Sequence, residues 1–347
     1  MRLNHTYPAL LALLLMAALT GCRQEPLPES GDAIRFSVQP ADISIETKAK
    51  PTSWAYLINV NNTVKLYGSY TGSVDPLFDG TSLTCTSATS ETSSTWSYVT
   101  ETVSTKYWDK RYTYQFSAAF PSTADITSGS GSGLVVAYDM SKGEVSGVKK
   151  GSYDLMVAST ASINAASRES NTVNLPFYHA CAALRFKFQE GPGVTGTPAY
   201  DYYIRSFEIQ GVYTEKNLEY SHTGVVDVSD WKVPEGGAVA TLSYYSDATG
   251  EQVPENGHPA YLFGSEWYYA IPQALQDGAA IHFTYVVDGH ESEVFDVNLP
   301  INTYSENPVT WAPAQLYTYI ITIQPDFIVL DVTFDEWQEG GSWDLTD

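Results

Sequence analysis

Acidic and histidine side chains are the residues of this sequence that would carry acid–base chemistry. The chain contains 6 histidines and 40 Asp and Glu residues. The histidines are scattered, and an acidic pair such as Asp335-Glu336 would serve a glycosidase only if another carboxylate faced it across a cleft. The motifs Gly-x-Ser-x-Gly, His-Glu-x-x-His and Gly-x-x-x-x-Gly-Lys do not occur in the sequence. An enzyme is therefore the least favoured class of function.

Cys22 is the first candidate for covalent chemistry. It follows residues 1–21, which begin with a basic residue, continue through an apolar run and end in small residues, as secretory signals do. The tetrapeptide Leu19-Thr20-Gly21-Cys22 resembles the bacterial lipobox, in which the cysteine thiol receives diacylglycerol. We expect Cys22 to attach the mature chain to membrane lipid. The alternative is an ordinary secretory signal with an incidental cysteine.

Cys85 and Cys181 remain after export, in an oxidising compartment that permits a disulfide. Cys181 lies in the apolar run Ala180-Cys181-Ala182-Ala183-Leu184, where a free thiol serves as a small hydrophobic side chain. We therefore favour free cysteines over a disulfide. The sequence has no Cys-x-x-Cys motif and no Cys/His cluster, so it predicts neither a metal site nor a cofactor.

Two aromatic clusters, Tyr244-Tyr245 and Trp267-Tyr268-Tyr269, have the side chains that stack on sugar rings. Aromatic residues of β-sandwiches fill the core more often than they bind ligands. Binding of a host glycan or protein by a monomeric surface lipoprotein is therefore kept as the alternative function. Nucleic acid is excluded as a partner, because a formal net charge of −22 repels a phosphate backbone.

Composition predicts the elements that position these residues. The chain is 43% apolar and only 17% charged, and it is rich in Tyr, Thr, Ser and Val, which favours strands over helices. Its 347 residues exceed what one core usually holds. We expect an all-β protein with two antiparallel sandwiches in series, in the order signal 1–21, linker 22–33, N-terminal sandwich 34–181 and C-terminal sandwich 182–347.

Alternating or aromatic-rich runs predict the individual strands. They are residues 34–38, 54–60, 112–120, 133–138, 153–159, 173–178, 184–188, 203–212, 238–245, 267–271, 280–287, 293–299, 317–323 and 327–334. The Ser- and Thr-rich stretch 81–105 and the Ser-Gly alternation at 128–133 are expected to be exposed loops or edge hairpins, the second of them a flexible turn.

The two ends of the folded part carry strands that match each other. The first strand has Ile34, Phe36 and Val38 on one face and is followed by Lys48 and Lys50, in a chain with few cations. A trypsin-like protease that cut after Lys48 would release this strand and leave a groove. The alternative is a plain surface turn.

The last strand, residues 327–334, is the candidate for filling such a groove. One face carries Ile328, Leu330, Val332 and Phe334. Such a segment can add to a sheet edge, where backbone hydrogen bonds supply affinity and alternate side chains fill pockets. The same pattern is typical of an ordinary last core strand.

The order of several short motifs resembles the fimbrillins, the lipoprotein subunits of protease-matured pili of Gram-negative anaerobes. The resemblance runs from Cys22 to Trp337. The matching residues are Ile34-Arg35-Phe36 followed by Thr47-Lys48-Ala49, then Phe116-Ser117-Ala118-Ala119-Phe120-Pro121, Tyr153-Asp154-Leu155-Met156-Val157-Ala158, Leu175-Pro176-Phe177-Tyr178-His179, Phe207-Glu208-Ile209-Gln210-Gly211-Val212-Tyr213, Ile271-Pro272-Gln273, Trp311 with Tyr317-Thr318-Tyr319, and Asp335-Glu336-Trp337-Gln338-Glu339-Gly340.

The resemblance implies two transthyretin-like sandwiches, delivery to the outer membrane on a lipid at Cys22, and removal of the first strand by a surface protease specific for Arg or Lys. The terminal strand of another pilin subunit, identical or related, would then fill the groove. The chain departs from the usual arginine processing site, because Lys48 and Lys50 occupy that place and the nearest arginine, Arg35, lies inside the strand. Stalk, tip and anchor roles all remain open.

Overall fold

The computed structural model describes residues 30–40, 57–90, 93–142, 144–145, 148–149, 153–192, 200–255, 257–263, 268–290, 292–304, 307–324 and 327–336. Within these residues the fold is all-β, as the composition predicts, with one 3₁₀ helix at Val228–Asp230. A search of the same residues for a helix long and apolar enough to cross a membrane found none.

The strands of the N-terminal half and the centre include most of the predicted runs, together with others, such as Thr63–Tyr70, that no run predicted. In chain order they are β1 Arg35–Pro40, β2 Thr63–Tyr70, β3 Phe78–Ser90, β4 Ser93–Ser97, β5 Thr113–Phe120, β6 Asp125–Ser130, β7 Gly133–Asp139, β8 Glu144–Val145, β9 Val148–Lys149, β10 Met156–Ser159, β11 Ile163–Asn164, β12 Thr172–His179, β13 Ala182–Glu190 and β14 Tyr202–Tyr213.

The C-terminal strands complete the set. They are β15 Glu215–Tyr220, β16 Trp231–Lys232, β17 Val239–Gln252, β18 Ala260–Tyr261, β19 Tyr268–Ala270, β20 Gln273–Ala274, β21 Ala280–Val287, β22 Phe295–Pro300, β23 Thr303–Tyr304, β24 Asn307–Pro308, β25 Thr310–Trp311, β26 Gln315–Ile323 and β27 Ile328–Glu336.

An eight-stranded sheet organises the N-terminal half, in the order β1-β12-β10-β5-β2-β3-β4 with β11 beside β5. Its alternate apolar residues point to one side and form a core that includes Phe36, Phe78, Tyr98 and Phe116. β4 comes close to β1, although the two strands stand at opposite ends of this order, so the sheet curls upon itself. The β3–β4 hairpin confirms the prediction of an edge hairpin in the Ser- and Thr-rich stretch.

Two further sheets face each other in the C-terminal half. One has the order β18-β13-β26-β27 with β19 beside β13, and the other has the order β17-β14-β21-β22. The ring of Phe188 on β13 stands edge-on to Phe207 on β14 and to Phe283 on β21, with centroids 5.7 Å apart in each pair. These contacts between rings of opposite sheets form the centre of the second core.

A four-stranded sheet, β16-β15-β7-β6, takes strands from both sides of residues 181 and 182. β7 pairs with β15 from Glu215 opposite Asp139 to Tyr220 opposite Leu134. The sequence-based boundary between residues 181 and 182 stays a prediction, and this sheet joins the chain across it.

The Ser-Gly alternation is not simply a flexible turn. Residues 128–130 belong to β6, and only Gly131 and Ser132 form the turn to β7. A Cβ added to Gly129 would lie 2.4 Å from a ring carbon of Tyr67, and one added to Gly131 would lie 2.2 Å from the Gln115 carbonyl oxygen. Glycine is needed here because the hairpin packs directly against β2 and β5.

Two other features differ from the sequence-based expectation. The sheets were expected to be antiparallel, but β1 runs parallel to β12 and β13 runs parallel to β26. Alternation predicts that a segment is a strand and carries no information on the direction of its neighbour. The predicted strand at residues 54–60 is wrong over its described part, since residues 57–60 are helical or turn. Leu57 and Ile58 are both buried there, so the run does not alternate between two faces.

Candidate functional site

β1 lies at one end of the eight-stranded sheet and is held by its apolar face. It pairs with β12 in parallel, from Arg35 opposite Thr172 to Pro40 opposite Phe177. The side chains of Ile34, Phe36 and Val38 are 1%, 4% and 2% exposed. The three residues predicted to form the apolar face of the first strand therefore all lie in the core.

Phe36 occupies an aromatic pocket. Its ring stands edge-on to those of Phe78, Tyr98 and Phe116, with centroids 5.7, 5.8 and 5.2 Å away. The three partners come from β3, from the segment after β4 and from β5. This geometry favours the positive edge of one ring against the negative face of another, so the pocket is shaped for a large apolar side chain.

The N-terminal end of β1 is bonded on both sides. On one side Arg35 N–H donates to the Asn171 carbonyl at 3.0 Å, and on the other Ile34 N–H donates to the Lys106 carbonyl at 2.9 Å. The Tyr98 hydroxyl donates to the Ile34 carbonyl at 3.0 Å and accepts from Lys106 N–H at 3.0 Å. Burial raises the pKa of Tyr98, so this hydroxyl keeps its proton well into the alkaline range.

An ion pair fixes the residue just before the first strand. Arg168 donates to the Asp32 carboxylate at 2.5 Å, to the Ala165 carbonyl at 2.5 Å and to the Asn171 side-chain oxygen at 2.8 Å. Its guanidinium lies 5.1 Å above the centre of the Trp108 ring. The Arg168 side chain is only 8% exposed, whereas that of Asp32 is 56% exposed. Ala165, Asn171 and Trp108 therefore hold the arginine side chain, and Asp32 reaches it because it lies just before the first strand.

We call the surroundings of β1 the first-strand groove. It consists of β12, the segment 98–108, and the rings of Phe78 and Phe116. Without β1 the groove would present an unpaired β12 edge and an uncovered apolar floor. An exposed strand edge of this kind pairs readily with another strand. The chemistry that this site offers is therefore strand binding.

The predicted processing and lipid-attachment residues, Lys48, Lys50 and Cys22, lie outside the described residues. β1 ends at Pro40, and the described chain resumes at residue 57. The predicted cleavage sites thus fall in the connection between the first strand and the rest of the sheet. Their roles stay predictions.

The predicted donor strand is β27, an edge strand within this chain. It pairs antiparallel with β26, from Ile328 opposite Ile323 to Glu336 opposite Gln315. Ile328, Leu330 and Val332 are half-buried and pack on the C-terminal core. Phe334 lies in the strand opposite Tyr317, and its side chain is outside the described part.

His179 and His282 have carboxylate partners, and two of the clustered tyrosines are buried. His179 and Asp154 are both buried and lie 3.0 Å apart, and the Nε2 atom of His282 lies 2.7 Å from an Asp296 oxygen. Tyr244 and Tyr268 are 2% and 1% exposed, so both fill the core as aromatic residues of sandwiches usually do. Trp267 lies outside the described residues.

Cys85 and Cys181 are free and buried, and the buried place of Cys181 agrees with its prediction as a residue of a core strand. Burial raises the pKa of Cys181 to about 12, with the nearby Asp154 carboxylate as a second cause. The thiol therefore stays protonated and behaves as a small core residue. Among the described residues, no group of three or more His, Cys, Asp or Glu side chains is placed to hold a metal ion.

Tyr98, Arg168 and Asp32 are the groove residues that sequence reasoning missed. Tyr98 stands in the Ser- and Thr-rich stretch, and alternation there gives no indication that its hydroxyl meets β1. Arg168 is one of only 18 basic residues in the chain, and this scarcity was the one available signal. Its partner Asp32 lies far away in sequence, so the pair emerges only from the fold.

Comparison with known proteins covers most of the chain. The family model described as Fimbrillin-like matches residues 47–337. A fimbrial protein from Bacteroides vulgatus has a TM-score of 0.57 and 13% identity, with 88% of this chain and 99% of that chain covered. A candidate cell adhesion protein from Bacteroides uniformis has a TM-score of 0.51 and 17% identity, with 90% and 100% covered. At these low identities the TM-scores show a shared fold. No curated protein matches the sequence.

Proposed function

Because the chain belongs to the Fimbrillin-like family, we propose that it is a structural subunit of a surface pilus. The subunit is exported as a lipoprotein, loses its first strand to a protease, and polymerises by accepting the terminal strand of another subunit. The chain supplies structure and strand binding, and catalysis has no part in this role.

The burial of β1 at a sheet edge is the observation that carries the proposal. A strand in the middle of a sheet could not leave without breaking pairs on both sides along its length. β1 is paired with β12 on one side, while on the other side the described backbone bonds involve only its N-terminal end. It can therefore be removed without breaking a second ladder of backbone pairs along its length.

The apolar face of β1 supplies the driving force for refilling the groove. Burying a side chain the size of Ile34, Phe36 or Val38 contributes about 1.5–3 kcal/mol, so the three together contribute roughly 5–9 kcal/mol before ordering costs. A strand that restores this burial and the β12 hydrogen bonds would form a durable link between subunits.

Lys48 supports the processing step through its position. It lies between β1 and β2, and the family match begins one residue before it, at residue 47. Cleavage after Lys48 would separate the first strand from the matched region. Pro51 hinders a trypsin-like enzyme at Lys50, so Ala49 is the expected new N-terminus.

Cys22 connects this scheme to the cell surface. Lipid on Cys22 would hold the precursor at the outer membrane, the surface where the maturation protease acts. Cleavage after Lys48 would remove the covalent link between the lipid-bearing first strand and the rest of the subunit, so departure of that strand would both free the subunit from its lipid and open the groove. Release and activation thus become one event.

Brief trypsin treatment of the purified mature chain tests the proposal. We expect one dominant new N-terminus at Ala49, followed by filaments or oligomer ladders visible by electron microscopy and size-exclusion chromatography. The variant Leu330→Asp with Val332→Asp is the control, because its donor face would carry charges into an apolar groove. It should be cut equally well and remain monomeric. A wild-type chain that loses residues 34–48 and stays monomeric would refute the proposal.

A further inference from the structure

The first strand and the terminal strand share a pattern longer than simple alternation. An aspartate stands two residues before an isoleucine, which is followed at alternate positions by a large apolar residue and a valine. The two segments are Asp32-Ala33-Ile34-Arg35-Phe36-Ser37-Val38 and Asp326-Phe327-Ile328-Val329-Leu330-Asp331-Val332. When the two segments are aligned in the same direction, the aspartate, the isoleucine, the large apolar residue and the valine of one segment each correspond to those of the other.

The pattern reads from the N-terminal to the C-terminal side in both segments, and this matters because β1 runs parallel to β12. A strand that copies β1 must also run parallel to β12 to bring its aspartate to the Arg168 end. In that orientation Ile328, Leu330 and Val332 take the positions of Ile34, Phe36 and Val38.

Arg168 is the residue that binds the aspartate at the start of the pattern. Stacking on Trp108 and hydrogen bonds to Ala165 and Asn171 hold the guanidinium, and none of these three residues belongs to β1. One nitrogen remains directed at Asp32, 2.5 Å from a carboxylate oxygen. When the first strand leaves, Arg168 loses this carboxylate, whereas its bonds to the Ala165 carbonyl and the Asn171 side chain do not involve the departing strand. A fixed, largely desolvated guanidinium favours a new carboxylate at the same place.

We propose that Arg168 is a carboxylate receptor that sets the register of the strand bound beside β12, and that Asp326 of a second copy of this chain is its ligand in the assembled state. The inference rests on the proposed strand exchange and adds its partner, direction and register. A shift by two residues would place Ile328 or Leu330 correctly in an apolar pocket but would leave Arg168 without a carboxylate. The ion pair therefore distinguishes registers that the apolar pattern alone does not.

The groove would bury three side chains of this segment more deeply than their place beside β26 does. Ile328, Leu330 and Val332 are half-buried beside β26, whereas the groove positions that they would take are 1–4% exposed. Each side chain thus gains burial by moving from its own chain to the neighbour. Asp331 would take the position of Ser37, whose side chain lies 3.3 Å from the Asn174 amide oxygen at a partly exposed site. A charged side chain is tolerated there, because it does not enter the core.

A peptide competition experiment tests the proposal. The full mature chain is nicked after Lys48, so that the first strand remains bound but is no longer covalently attached. A fluorescent peptide of residues 324–336 is then added and its capture measured by anisotropy. The receptors are wild type and Arg168→Gln. The peptides are wild type, Asp326→Asn and the matched control Asp331→Asn.

The expected result is a specific coupling between two charges. Asp326→Asn should weaken capture by the wild-type receptor roughly three- to tenfold, as for a well-oriented, partly exposed ion pair. Asp331→Asn should change it less than about twofold. On the Arg168→Gln receptor the wild-type and Asp326→Asn peptides should bind equally. An equal loss from Asp326→Asn on both receptors would overturn the role of Arg168.

A disulfide trap reports the register independently. Ser37 is paired with Asn174, so a peptide with Asp331→Cys should cross-link to a receptor with Asn174→Cys. Peptides with Val329→Cys or Thr333→Cys are the matched controls and should react much more slowly. Faster reaction of either control would overturn the proposed alignment.

The outcomes separate this inference from the proposed function. If the nicked chain polymerises but the peptide is not captured, strand exchange stands and residues 326–332 are not the donor. If Lys48 resists cutting, a protease site placed across residues 47–50 supplies the nick. Resistance then counts against natural processing at Lys48, and the peptide experiment still decides the role of Arg168.

Discussion

The ring of Phe36 stands edge-on against the ring of Phe116, with their centroids 5.2 Å apart. One ring belongs to the first strand and the other to β5, in the middle of the eight-stranded sheet. This contact makes an edge strand, the one that we propose is removed, part of the centre of a core. The stability of the intact chain and the affinity of the empty groove for another strand therefore depend on the same pocket.

Replacing Phe36 with Ala should destabilise the intact chain by about 3–5 kcal/mol, since a buried ring is lost and its aromatic pocket is left partly empty. Urea unfolding followed by tryptophan fluorescence measures this change. Arg35→Ala is the matched control, because Arg35 is the exposed neighbour in the same strand and should change stability by less than about 0.5 kcal/mol. Equal effects of the two substitutions would mean that β1 does not fill the pocket.

Replacing Gly129 with Ala should destabilise the fold, because the added methyl group would lie 2.4 Å from the Tyr67 ring. The clash forces either the ring or the hairpin to move, at a typical cost of about 1–3 kcal/mol. Thermal unfolding of Gly129→Ala is compared with that of Ser128→Ala, an exposed position one residue away. A flexible turn would tolerate both substitutions equally, and that result would contradict the close packing of β6.

Stability should fall as pH rises above about 10, the pH at which tyrosines ionise in an unfolded chain. Burial raises the pKa of Tyr114 to about 12 and also raises the pKa values of Tyr98 and Tyr317. The folded state keeps these phenols neutral. Their contribution is therefore complete below pH 10 and is lost as pH rises from 10 towards 12 for Tyr114.

The urea midpoint at pH 8, 10 and 11 measures this dependence. The variant Tyr114→Phe serves as the control, because it lacks one titrating group and should lose less stability over the same interval. A midpoint that is unchanged between pH 8 and pH 11 would contradict the burial of these hydroxyls.

Replacing Cys22 with Ser should move the protein from the membrane to the soluble fraction of cells, because no thiol is left to carry lipid. Fractionation with detection by antibody, together with metabolic labelling by a fatty acid analogue, provides the measurement. Cys85→Ser is the control and should keep both the lipid and the membrane location. Retention of the Cys22→Ser variant on membranes would contradict the lipoprotein interpretation.

Local patterns in the sequence predict about half of the strands of the described residues, because a half-buried strand requires alternation wherever one face packs on a core, whereas β2 and β15 were not predicted. This alternation is seen in the first strand at Ile34, Phe36 and Val38, and in the last strand at Ile328, Leu330 and Val332. The parallel pairing of β1 with β12 was not predictable from alternation, since side-chain period carries no information on the direction of a neighbour. The strand prediction for residues 54–60 was wrong because consecutive buried residues can also occupy a turn.

The groove itself was only partly predictable. Its donor-like and removable strands have apolar patterns that stand out in the sequence. The residues that hold β1 in place do so through contacts between distant segments. Tyr98 reaches the Ile34 carbonyl and Arg168 reaches Asp32 across 64 and 136 positions of sequence. Such pairs have no local signature, and only the folded sheet brings them together.

The N-terminus of the subunit within native surface filaments tests the central claim most directly. Filaments are sheared from cells that produce the protein, dissociated by heat, and the intact mass and N-terminal peptide of this chain are determined by mass spectrometry. Loss of the first strand before assembly predicts a start at Ala49 and no peptide covering Ile34 to Val38. Filament subunits that begin at Cys22 and still carry the first strand would contradict strand exchange at this groove.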